Sequence, residues 1–185
     1  MNRLIGLCLS LLLAGCASVT PAVDPSIPTG PVRIQTRYWV ASYVPYGTGD
    51  PLCVEVSAGG LWLASCAKRD SQKFEFIKLP GYYMTVLPKY QIRAGQDCVT
   101  MPEPPVGFKM GDVKLGEVKV LPCVPGDDAQ VFAYHPQGEI IATSPRGYCI
   151  GGRDSWMQRG NILYGGACRM NDNWTAQQIL DAVKF

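Results

Sequence analysis

Cysteine is the residue type that could do the most chemistry in this 185-residue chain. Beyond the first sixteen residues it occurs as Cys53, Cys66, Cys98, Cys123, Cys149 and Cys168. Such thiols can hold zinc, act as nucleophiles or pair as disulfides. Zinc sites want close ligand pairs, commonly Cys-x-x-Cys with histidine. Here no Cys-x-x-Cys occurs, and the one histidine, His135, precedes Pro136. No metal and no cofactor is expected. Other catalytic patterns are equally thin. No serine sits in a Gly-x-Ser-x-Gly setting. Asp127-Asp128 follows Pro125-Gly126, an ordinary turn sequence rather than a pair of working carboxylates. Neither a glycine-rich phosphate loop nor a calcium loop is present. The sequence therefore predicts a protein that is not an enzyme.

The N-terminus decides between the remaining fates of the cysteines. Arg3 precedes an apolar run from Leu4, which closes on Leu11-Leu12-Leu13-Ala14-Gly15-Cys16-Ala17. That run is too short to span a bilayer, which takes roughly 20 residues. It reads as a cleaved export signal, residues 1–15. The junction resembles the lipobox of bacterial lipoproteins. The resemblance implies cleavage before Cys16, a lipid such as palmitate on its sulfur, and, with Ala17 rather than Asp next, an outer-membrane address. Export makes disulfides the expected state of an even cysteine set. The number alone leaves the pairing open. With 17 basic and 15 acidic side chains and no basic run, nucleic acid is not an expected partner.

These side chains need a scaffold. Residues 16–32 are rich in Pro, Ser and Thr and predict an extended tether. The remainder, 33–185, is long enough for one domain with a real core. It reads as short strands separated by turn residues: Thr36–Tyr43, Leu52–Val56, Leu61–Ala64, Phe74–Leu79, Tyr82–Leu87, Cys98–Met101, Glu117–Leu121, Gln130–Ala133, Glu139–Thr143, Tyr148–Ile150 and Ile162–Tyr164. The one helix-like pattern is Thr175–Val183, a short terminal helix or a last strand. An all-β domain is expected.

A repeat organises these strands. Unit one holds Cys53-Val54-Glu55-Val56, Leu61-Trp62-Leu63, Cys66 and Gln72-Lys73-Phe74. Unit two holds Cys98-Val99-Thr100, Val118-Lys119-Val120, Cys123 and Gln130-Val131-Phe132, with Pro102–Gly116 as an inserted loop. Unit three holds Cys149-Ile150-Gly151, Ile162-Leu163-Tyr164, Cys168 and Asn173-Trp174. A further apolar strand precedes each unit's first cysteine, at Tyr38–Tyr43, Tyr82–Leu87 and Glu139–Thr143. Three four-strand units of this kind predict a β-trefoil; a generic β-sandwich is the alternative. In a trefoil the cysteines would clip the second and third strands of each unit. Pairing Cys53 with Cys66, Cys98 with Cys123 and Cys149 with Cys168 in this way would close loops of roughly 14 to 26 residues, worth about 3 kcal/mol per bridge on a chain-entropy estimate.

The pattern resembles the ricin-type β-trefoil lectins, whose repeats carry Gln-x-Trp; Gln72-Lys73-Phe74 and Gln130-Val131-Phe132 look like degenerate copies. It is most similar to the A and C subunits of cytolethal distending toxins, on residues 53–79 and on the order lipobox, tether, trefoil. The resemblance implies a non-catalytic binding subunit. Its partners would be a DNase-like toxin subunit, a second trefoil subunit, and host-cell glycan or membrane. Location would be the outer membrane, with release as part of a toxin complex. Three cysteine pairs where the A subunit usually has two, and a short tether, keep a stand-alone glycan-binding lipoprotein open.

Lectin sites of that family use an acid two residues after the unit's first cysteine, an aromatic platform and a polar partner. The resemblance implies Glu55, Trp62 and Gln72 as the ligand set. Thr100 and Gly151 stand where the other units would need the acid. Gln72 and Gln130 have a competing role, holding backbone groups at a strand end. Trp39, Tyr43, Tyr46 and Trp156 form the expected partner-binding aromatic patch.

Overall fold

Alternation of burial along short segments, rather than long apolar runs, builds this domain. Val32–Thr36 buries Val32, Ile34 and Thr36 and leaves Arg33 and Gln35 half-buried, the two-residue period of a strand. The computed structural model describes residues 27–36, 51–103, 114–135, 138–152, 159–168 and 180–185. Within them lie thirteen strands. They are β1 (Val32–Thr36), β2 (Leu52–Ser57), β3 (Gly60–Ser65), β4 (Glu75–Tyr83), β5 (Leu87–Ala94), β6 (Asp97–Thr100) and β7 (Lys114–Glu117). The rest are β8 (Lys119–Pro122), β9 (Val131–His135), β10 (Glu139–Ala142), β11 (Tyr148–Gly152), β12 (Leu163–Ala167) and β13 (Leu180–Lys184).

The strands pair antiparallel in one curled sheet, in the order β13-β1-β2-β3-β8-β6-β5-β9-β10-β11-β12-β7, with β4 added on β5. The sheet turns back on itself. Trp62 of β3 bridges Ile162 beside β12, and the Leu63 N–H donates to the Asn161 carbonyl at 2.8 Å. Val32, Phe74, Ile92, Val99, Val118, Phe132, Ile150 and Leu163 fill the enclosed space and come from all three units. Each large apolar side chain so buried contributes about 1.5–3 kcal/mol.

Each unit is clipped internally as the trefoil reading requires. Disulfides link Cys53 to Cys66, Cys98 to Cys123 and Cys149 to Cys168, with Cα–Cα distances of 4.8, 4.9 and 5.1 Å. The fold is a cysteine-clipped, trefoil-like repeat of antiparallel strands.

Several strand assignments change. Tyr82–Leu87 is not a strand but the end and turn of the β4–β5 hairpin, and β5 lies further on, at Leu87–Ala94. The inserted loop contributes β7 at its end, which pairs with β12. The C-terminal segment is a strand: β13 pairs with β1 at five positions, from Val32↔Lys184 to Thr36↔Leu180. That strand also explains why β1 already starts at Val32, which is fully buried, with Ile27 packed on the core. Cys16, the signal and most of the tether lie outside the described residues, as do Trp39, Tyr43, Tyr46, Trp156 and Asn173-Trp174.

Candidate functional site

Two glutamines, each at the end of a short 3-10 turn, build equivalent corners in units one and two. The turns are Asp70–Gln72 and Asp128–Gln130, and both glutamines are buried. Gln72 Oε1 accepts from the Ala67 N–H at 2.7 Å, and its Nε2 donates to the Ser65 carbonyl at 2.9 Å. Gln130 repeats this with the Val124 N–H at 2.9 Å and the Pro122 carbonyl at 2.9 Å. Ser65 and Ala67 flank Cys66 as Pro122 and Val124 flank Cys123, so the amide closes the chain around each bridge. Two residues further on, Phe74 and Phe132 enter the core. This is the physical meaning of the Gln-x-aromatic signal.

The last donor of each glutamine reaches the position two residues after the unit's first cysteine. In unit one Gln72 Nε2 donates to Glu55 Oε2 at 2.8 Å. In unit two Gln130 Nε2 donates to Thr100 Oγ1 at 3.1 Å. Gln72 therefore has its amide fully engaged inside the protein, and its part in any site is to aim Glu55.

Arg69 completes unit one, a residue the sequence reading missed. Its Nη1 lies 3.0 Å from Glu55 Oε2 and 3.3 Å from Oε1. Counted back from the glutamine, unit two has Asp127 at that place, and it turns its carboxylate onto its own Ala129 N–H at 2.9 Å. An acid in the strand thus goes with a base in the turn, and a neutral threonine with an acid. Aligning the units on their glutamines would have exposed that exchange. The same hydrogen bond makes Asp127-Asp128 a turn.

Trp62 stands directly across from Glu55 in the β2–β3 ladder, so the two side chains share a face. The indole Nε1 donates to the Ser57 carbonyl at 2.9 Å, which fixes the ring, and the residue stays half-buried. Glu55, Trp62 and Gln72 are thus brought together, with Arg69 as a fourth member. The surface offers a carboxylate, a guanidinium with half its side chain exposed and an aromatic ring. Among the described residues no three His, Cys, Asp or Glu side chains are grouped to hold a metal ion. His135 faces Glu139 across the β9–β10 hairpin, with Nδ1 3.7 Å from Oε2.

No family model and no curated protein matches the sequence. Solved structures do match by fold. The C-half of the earthworm R-type lectin, in complex with GalNAc, superposes with a TM-score of 0.56 at 9% identity, over 85% of this chain and 100% of that one. A designed 3-fold symmetric protein, ThreeFoil, gives 0.55 at 12% identity over 84% and 99%. The Haemophilus ducreyi cytolethal distending toxin gives 0.50 at 12% identity over 89% and 87%. This chain has a β-trefoil-like fold. At such identities the likeness is one of architecture, shared with lectin and toxin-binding domains.

Proposed function

We propose that this chain is a non-catalytic binding subunit that holds a cell-surface glycan on its first unit and helps a DNase-like toxin subunit reach its target cell. The observation that carries the reading is the Glu55–Arg69–Gln72 cluster opposite Trp62. Sugar hydroxyls are matched by a fixed carboxylate and guanidinium, and the apolar face of a pyranose by an aromatic ring. Thr100 and Gly151 remove the charge from the corresponding positions, so one site per chain is proposed. Lipidation at Cys16 would hold the domain at the outer membrane on its tether. Trp39, Tyr43, Tyr46 and Trp156 are the proposed contact with the nuclease or with a second trefoil subunit.

A glycan array tests the site, with terminal GalNAc as the first probe because the earthworm lectin of like fold carries it. Retention of the wild type and loss in Glu55→Gln is expected; a blank array for the disulfide-intact chain contradicts it. Co-purification from the native envelope tests the partner. A nuclease in the eluate supports the toxin reading. Its absence, with array binding intact, leaves the second reading, a stand-alone glycan-binding lipoprotein, which the third disulfide keeps open.

A further inference from the structure

We propose that the tip of the β4–β5 hairpin is a wedge for the interface of a bilayer containing anionic phospholipid. Tyr82, Met84 and Val86 are 41, 67 and 69% exposed, three large apolar side chains within five residues. The turn beneath them is closed by the Val86 N–H on the Tyr83 carbonyl at 3.2 Å. Its two central residues, Met84 at φ 49° and Thr85 at φ 65°, both take the left-handed conformation. Turns of that shape favour Asn-Gly, and a methionine and a β-branched threonine are costly there. A local rule broken at an exposed apolar tip is a mark of function.

The tip is rigidly mounted. Tyr83 is buried with Ala133, Ile141 and Cys149, and Leu87 packs against the same cluster. The Cys149–Cys168 bridge therefore sits under the hairpin.

Charge selects the occupant. From Phe76 to Gln96 the sequence carries Lys78, Lys89 and Arg93 and no carboxylate. The one acid on β4, Glu75, lies at the far end opposite Arg93. Lys89 pairs with Leu79 and Lys78 with Tyr90, about three to four ladder steps behind the turn, roughly 10 Å at the rise of a strand. Aliphatic tip, tyrosine, then lysine is the order of depth found at a membrane interface. Interfacial elements insert about 5–10 Å, which puts these lysines at the phosphates. Three side chains are far short of the roughly 800 Å² per partner of a stable protein interface, whereas a bilayer needs no complementary pocket. The inference uses none of the glycan-site residues, so either can fail alone.

Sedimentation with vesicles tests it, using the chain from residue 17 onward, made without the signal and Cys16 so that neither an apolar signal nor an acyl chain contributes. Vesicles of phosphatidylcholine alone are compared with vesicles holding about one third phosphatidylglycerol. Binding to the anionic vesicles is expected, falling about a hundredfold in Met84→Ser/Val86→Ser, which removes the two apolar side chains that would enter the bilayer. Lys78→Gln/Lys89→Gln should abolish the preference for anionic lipid. Met84→Asn/Thr85→Gly separates binding from folding: the relaxed turn should raise the melting temperature while vesicle binding weakens about tenfold. A wild type that leaves anionic vesicles unbound, or an Asn-Gly variant that binds them as well as wild type, overturns the proposal.

Discussion

At the scale of single residues, the glutamines carry more of the domain than their polarity suggests. Gln130 serves the Val124 N–H, the Pro122 carbonyl and Thr100 Oγ1 from a buried position. Its replacement by alanine removes three hydrogen bonds, two of them to part-buried backbone groups, each worth about 0.5–1.5 kcal/mol. Gln130→Ala is expected to lose about 3 kcal/mol, measured by denaturant unfolding with the disulfides intact. Glu55→Gln should behave differently. Its ion-pair partner Arg69 has about half its side chain exposed, and pairs with an exposed member are worth about 0–1 kcal/mol. Stability should stay within that margin while any ligand that reads the carboxylate is lost. Much of this corner was legible in the sequence, because Gln72 and Gln130 follow Cys66 and Cys123 by six and seven residues and Glu55 lies two after Cys53. Arg69 was not, since a lone exposed arginine in a turn signals nothing until its unit is compared with the next.

Elements were legible where turns announced themselves and illegible where they did not. Ala58-Gly59 closes β2–β3 and Gly95 precedes β6, and β2, β3 and β6 fall close to their expected places. The β4–β5 hairpin turns on Met84-Thr85, residues typical of strands, so the stretch Tyr82–Leu87 looked extended. The one conventional turn pair nearby, Pro80-Gly81, marks an irregularity inside β4 instead. At the C-terminus Ile179, Leu180 and Val183 gave a helical period, but Leu180 and Ala182 are the buried side chains among those described in β13, an alternation too short to stand out. β13 is nonetheless structural. It is the outer neighbour of β1 in the sheet, and its loss would expose Val32 and Ile34 along with an unpaired strand edge. Truncation after residue 179 is expected to lower the melting temperature by about 10 °C or more, or to prevent folding, as followed by circular dichroism.

For the whole molecule, three units pool one core, and each is closed by its own bridge. Cys98–Cys123 spans the longest loop, a separation of 25 residues, against 13 and 19 for the others. On the chain-entropy account its removal costs the most, about 3–4 kcal/mol. Cys98→Ala/Cys123→Ala should therefore melt below Cys53→Ala/Cys66→Ala, and a reversed order in calorimetry would count against that account. The threefold plan was visible as three cysteine units, yet their divergence gives the proposed function its asymmetry. Unit one keeps the acid, the base and the indole, while unit two keeps only the glutamine scaffold. That contrast supplies an internal control within one molecule. Nitrogen-resolved NMR of the intact chain, titrated with a saccharide retained on the array, follows the Trp62 indole N–H, the Arg69 guanidinium and the Gln130 side-chain amide together. The account predicts that Trp62 and Arg69 shift in a single saturable step while Gln130 stays still; saturable binding that leaves Trp62 and Arg69 unmoved would contradict it.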